Sequence, residues 1–163
     1  CLGCRSTDSA VDHVRRSVDR DRYAGFNLVV SDADRAVLLE WDGELSVTDF
    51  EPGVHLVVNV GADGDFFVPE ARPDVGRTQA DNAAAIRAAL DPEPGETAAD
   101  WLDRAGAALG DHEYGVCVHG DGFGTRSASL IRLEYSSDEL VGHYWFADGP
   151  PCRTEFERVD IGP

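Results

Sequence analysis

Apolar residues recur along this chain first at helical and then at strand spacing. Val11, Val14 and Val18 line one face, while Asp12, Arg15, Arg16 and Asp19 fall largely outside it. That stripe predicts an amphipathic helix starting near Thr7 or Asp8, both good N-caps, and running to about Arg22. Strands follow at about Gly25–Ser31, Ala36–Trp41 and Leu45–Phe50, with Asp32-Ala-Asp-Arg35 and Asp42-Gly43 as turns. Val54–Val60 carries apolar residues on both faces, as a strand covered on both sides would.

From Asp63 to Arg77 the pattern is irregular, and Pro69 and Pro73 argue against a regular helix or inner strand. Thr78–Leu90 then presents Ala83, Ile86 and Leu90 on one helical face, and Thr97–Leu109 presents Trp101, Ala105 and Leu109. Thr97 with Asp100 forms a variant capping box, and Asp91-Pro-Glu-Pro-Gly95 is a stiff connector between the two helices. Strand patterns return at Gly115–His119, Thr125–Glu134, Leu140–Ala147 and Glu155–Val159. Strands, then helices, then strands predict an α+β fold, with helices covering antiparallel sheets.

Composition narrows the partners. The 163 residues suit a single domain with a real core. Acidic residues number 31 against 14 basic ones, a formal net charge of −17, and every basic residue is arginine. Such acidity repels nucleic acid and anionic membranes, so neither is expected as a partner. With 42% hydrophobic residues in periodic order, the charge describes a solvated surface suited to high salt and not disorder. No apolar run approaches a membrane span, so no membrane insertion is expected. Cys1, Cys4, Cys117 and Cys152 are too sparse for a disulfide scaffold, and a reduced cytoplasmic setting is expected.

The stretch from His119 to Leu130, HGDGFGTRSASL, is a glycine-rich turn that feeds an Arg-Ser pair into an apolar strand. Gly120, Gly122 and Gly124 allow close approach of another group, and a polar loop between two strands is a favoured place for a site. Arg126 has the planar fork that suits a carboxylate or phosphate, or it pairs with one of the many acids. Ser127 could donate to the same ligand or satisfy neighbouring backbone. Asn59, near the end of its strand, could hold a substrate carbonyl or oxyanion, or cap the following turn. A small-molecule ligand is the expected partner, with Asn59, Arg126 and Ser127 as candidate binding residues.

Cys1 and Cys4 have the C-x2-C spacing of a zinc knuckle, and Cys117, His119 and Cys152 are further potential donors. Only the first pair has diagnostic spacing, so no metal site and no cofactor are expected. Cys117 reads as a small buried residue and His119 as a loop-end hydrogen-bonding residue.

Three further blocks stand out: Tyr23-Ala-Gly-Phe-Asn-Leu-Val-Val-Ser-Asp32, Pro52-Gly-Val-His-Leu-Val-Val-Asn-Val-Gly61 and Phe123-Gly-Thr-Arg-Ser127, with Phe156-Glu-Arg158 near the C-terminus. Together they resemble the NRDE family, which includes the animal transport-and-Golgi-organisation protein. The resemblance covers about Tyr23 to the C-terminus and is nearest to versions from halophilic archaea. It implies the four-layer αββα sandwich of N-terminal-nucleophile hydrolases. In such enzymes the first residue attacks an amide or ester carbonyl while its free α-amine acts as base. The Asn-Arg-Asp-Glu motif itself is missing. The resemblance therefore implies that residues 1–163 are one domain, the C-terminal part of a longer protein, supplying scaffold and ligand pocket without the nucleophile. Cys1 could be a nucleophile in principle, but Cys1-Leu-Gly-Cys-Arg-Ser-Thr-Asp leads into a helix cap and not an apolar strand. The full-length protein is expected to hydrolyse C–N bonds or transfer acyl groups, and this chain alone is expected to be inactive. The alternative is a non-catalytic carrier of haem or acyl-CoA, for which His143 and the cluster Tyr144-Trp-Phe146 supply a flat apolar surface.

Overall fold

A computed structural model describes residues 3–4, 6–32, 34–136 and 139–160. The fold is α+β, with three α-helices and several small antiparallel sheets among the described residues. The chain divides into two compact units, Cys1–Asn59 and Val60–Pro163.

In the first unit, α1 (Thr7–Arg20) lies on a sheet of β1 (Phe26–Ser31), β2 (Ala36–Trp41) and β3 (Leu45–Phe50). Ser6 is the N-cap and exchanges hydrogen bonds with Ser9 in a capping box, in place of the expected Thr7 or Asp8. The predicted stripe is the one that packs: Val11, Val14 and Val18 meet Val37 and Leu39. Antiparallel register sets Leu28 opposite Leu39 and Leu39 opposite Val47, so strand alternation supplies the apolar face that the helix covers. The Asp32 carboxylate accepts from the Thr7 backbone N–H at 2.7 Å and also from the backbone of Asp34 and Arg35, tying the β1–β2 turn to the start of α1. The strand expected over Val54–Val60 shrinks to β4 (Val57–Val58), because Asn59 and Val60 already turn. Apolar content marked burial there, but it could not supply a pairing partner.

The second unit opens with β5 (Gly61–Ala62) and β6 (Asp65–Phe66), a short antiparallel pair. Helix α2 (Pro73–Ala89) starts earlier than expected because Pro73 sits in its first turn, where a missing N–H costs nothing. Helix α3 (Ala98–Gly110) carries the predicted capping box of Thr97 and Asp100. Arg104 fastens the connector, donating to Glu96 at 2.7 and 2.8 Å and to the Ala89 carbonyl, while the Trp101 indole donates to the Leu90 carbonyl at 2.7 Å. After a 3-10 turn at His112–Tyr114 come β7 (His119–Gly120) and β8 (Phe123–Gly124), a tight hairpin. The last sheet has β10 (Glu139–Ala147) between β9 (Ala128–Ser136) and β11 (Glu157–Val159), all antiparallel. Helix α3 packs on β9, and Gly106 sits so near Leu130 that a side chain there would press on it.

The strand expected over Gly115–His119 does not form as such; only its last residue pairs, in β7. Gly115 adopts φ +62° to close the 3-10 turn, and Cys117 lies in a bend. Val116 and Val118 alternate along this segment as in a strand, yet both are exposed.

Candidate metal centre

Four donors converge in the second unit: His112, Cys117, His119 and Cys152. Their ligand atoms all lie within 4.8 Å of one another. The His119 Nε2 is 3.6 Å from the Cys117 Sγ and 3.2 Å from the Cys152 Sγ. The His112 and His119 rings meet edge-on at a centroid distance of 5.1 Å.

Three local structures bring these donors together. His112 sits on the 3-10 turn directly after α3, whose start is held by the Asp111 carboxylate accepting from the Glu113 N–H at 2.9 Å. The Gly115 end of that turn is covered by α2. A Cβ at Gly115 would lie 2.0 Å from the Asn82 Nδ2, so the left-handed turn and the seat of Asn82 both require glycine.

Thr125 fixes the segment that carries Cys117. Its hydroxyl accepts from the Val118 N–H at 2.9 Å and donates to the Val116 carbonyl at 3.2 Å, while its own N–H donates to the Val118 carbonyl at 2.9 Å. The threonine of the Gly-Thr-Arg-Ser block therefore shapes the backbone on either side of Cys117. The β7–β8 pairing then sets His119 at the base of the hairpin.

Cys152 arrives on the turn that follows β10. The backbone N–H groups of Arg153 and Thr154 both donate to the Pro150 carbonyl, at 3.0 and 3.1 Å. That turn rests on the end of α3, where a Cβ on Gly110 would come within 3.0 Å of the Pro151 carbonyl oxygen. Close backbone approach at Gly110 places Cys152 beside His112.

Cys117 is buried, Cys152 is half-buried, and the two histidines are exposed. Burial first, and then the adjacent Cys117 thiol, push the Cys152 thiol above its ordinary range. A divalent cation reverses that preference, because two thiolates neutralise it and it replaces their lost hydration.

The donor set fits zinc. Tetrahedral Zn²⁺ with sulfur and imidazole ligands spaces its donor atoms by about 3.3–3.8 Å, so small side-chain rotations would close the observed cluster around one ion. Two sulfurs and two imidazoles also favour a zinc-like ion over calcium or magnesium, which take oxygen ligands.

Of these donors, Cys117, His119 and Cys152 stand out in the sequence, whereas His112 does not. Its only signal is the spacing His112-x4-Cys117-x-His119. Cys4 belongs to the first unit and is a free cysteine; Cys1 lies outside the described residues. Arg126 and Ser127 are neighbours and both exposed, and Arg126 lines an open groove with Val118–Gly120 and Gly122–Thr125. Asn59 is exposed in the turn after β4 and belongs to the first unit, not to the unit that holds Arg126. No helix among the described residues is long and apolar enough to cross a membrane.

No family model matches the chain, and neither the curated proteins nor the solved structures give a match.

Proposed function

We propose that the second unit is a metal-binding module that holds one zinc-class ion through His112, Cys117, His119 and Cys152. The supporting observation is the convergence of four ligand atoms within 4.8 Å. Four protein donors fill a tetrahedral shell and leave no open position for water or substrate, so the role is structural. The ion would join the turn after α3, the segment before β7 and the turn after β10. A reducing cytoplasmic setting would keep both sulfurs available as ligands. The test is the metal content of the reduced, full chain: one zinc per chain by elemental analysis, with a Cys2His2-type absorption spectrum after cobalt substitution. Cobalt spectra with no thiolate charge-transfer band would overturn the assignment.

A second reading concerns the groove beside this centre. In it the chain belongs to the NRDE family and supplies scaffold and ligand pocket to a protein related to N-terminal-nucleophile amide hydrolases and acyltransferases. The observation that favours it is Arg126, exposed and without an ion pair among the described residues in a chain bearing 31 acids. An unneutralised guanidinium on a glycine-lined groove suits a carboxylate or phosphate. Titration with acyl-CoA compounds and with haem separates carriage from catalysis: stoichiometric binding without product supports a carrier. Binding unchanged by Arg126→Ala would count against this groove.

A further inference from the structure

The two sulfurs of the metal centre differ in access. Cys117 is only 5% exposed. Cys152 is half-buried and lines a groove of about 630 Å³ whose walls include Asp103, Gly106, Trp145, Arg153 and Phe156. A small solute entering that groove reaches Cys152, whereas Cys117 is not among the residues that line it. The two Sγ atoms lie within 4.8 Å of each other, and both approach the same nitrogen of His119.

Building on the metal reading above, we propose that Cys117 and Cys152 form a redox-controlled release device, in which a hydroperoxide joins them as a disulfide and expels the ion. The Cys152 thiolate attacks the outer peroxide oxygen. The O–O bond breaks, an alcohol or water leaves after taking a proton, and Cys152 becomes a sulfenic acid. The Cys117 thiolate then attacks the Cys152 sulfur, forming the S–S bond and expelling hydroxide, which is protonated to water. Two electrons pass from the sulfur pair to the peroxide, and the zinc keeps its charge throughout. The ion leaves because a disulfide carries no negative charge to donate, and two exposed imidazoles are too few to hold it. A thiol reductant reverses the reaction by exchange, restoring both thiols and yielding its own disulfide.

Cys152 suits the part of first attacker because of its place in the fold. It rides on a surface turn held by hydrogen bonds to the Pro150 carbonyl, whereas Cys117 is clamped from both sides by Thr125. The Cys152 sulfur is the one that borders the groove, and the clamped Cys117 sulfur lies within 4.8 Å of it.

The experiment uses the full chain, reduced, loaded with one equivalent of zinc and titrated with hydrogen peroxide. Free zinc is read with a chromogenic chelator, and disulfides are located by alkylation and peptide mass mapping. The expected result is one zinc released for each Cys117–Cys152 disulfide formed, with full recovery after dithiothreitol. Zinc retained under excess peroxide, with both cysteines still alkylatable after unfolding, overturns the device and leaves the metal centre standing. Release that tracks a disulfide to Cys1 or Cys4, or sulfinic acid in place of a disulfide, also overturns it. Failure of the reduced chain to take up zinc overturns the metal reading, and this inference with it.

Discussion

The Nε2 of His119 lies 3.2 Å from the Sγ of Cys152, although the two residues are 33 positions apart in the chain. One is fixed by a hairpin and the other by a turn packed on a helix end. Their meeting makes the consequences of single substitutions specific.

Removing a donor should remove the ion. Cys117→Ser, Cys152→Ser and His119→Ala are each expected to weaken zinc binding by more than the 10- to 100-fold, or about 1.4–2.7 kcal/mol, typical of residues that only support a ligand. Zinc at a thousand times its dissociation constant stabilises a folded domain by about 4 kcal/mol. The natural chain is expected to melt at a higher temperature with zinc than without it, and that rise should vanish in these variants. Calorimetry with and without a chelator reads this directly.

Thr125→Val should act on the centre without touching it. The change deletes two side-chain hydrogen bonds to the backbone around Cys117, at a cost of about 1–2 kcal/mol. Zinc affinity should fall with it, and Thr125→Ser should restore both. Equal affinity in Thr125→Val and the natural chain would show that the clamp does not position Cys117.

At Gly115 two penalties can be separated. Gly115→Ala forces a side chain into φ +62° and against Asn82. The backbone contribution alone is about 1–2 kcal/mol. Adding Asn82→Ala should relieve the clash and leave the backbone penalty, so the double variant is expected to be more stable than Gly115→Ala. Urea unfolding of the four chains forms the cycle.

Acid should loosen the first unit through Asp32. Its carboxyl is lowered from 3.8 to about 2, chiefly because it accepts the Thr7 backbone N–H. A carboxylate with a depressed folded value stabilises the folded state above its unfolded value and loses that contribution as pH falls through the folded one. The Asp32 contribution is thus complete above about pH 4 and fades towards about pH 2. Asp32→Asn should flatten the pH dependence of unfolding in that window, as followed by urea midpoints. An unchanged slope would assign the acid sensitivity to other groups.

Salt should stabilise the chain. With a net charge of −17, self-repulsion extends over about 10 Å at 0.1 M salt and is screened within a few ångströms near 1 M. Melting temperature is expected to rise by several degrees over that range, and a fall would contradict a high-salt surface.

Local pattern carried much of the fold. The Val11, Val14 and Val18 stripe, the alternation in β1–β3 and the Thr97–Asp100 box each depend on residues close in sequence, and each appears in the structure where periodicity places it. Misreadings arose where a partner or a backbone angle decided the outcome. Pro73 opens a helix instead of preventing one, Val54–Val60 finds pairing for only two residues, and Gly115 bends a segment that alternates like a strand.

The candidate centre shows the same division. Sequence alone supplied a glycine-rich loop and three of the four donors, yet it led to the expectation of no metal site, because only the C-x2-C pair had diagnostic spacing and its Cys1 lies outside the described residues. Cys117 and His119 are near neighbours, whereas His112 is set by a helix end and Cys152 by the turn after β10. Their convergence depends on the close backbone approach at Gly110 and the seating of Asn82 on Gly115. Those contacts join positions far apart in the chain, and periodicity has no access to them. The sequence by itself determined which residues could bind a metal; only tertiary packing decided that these four would face one another.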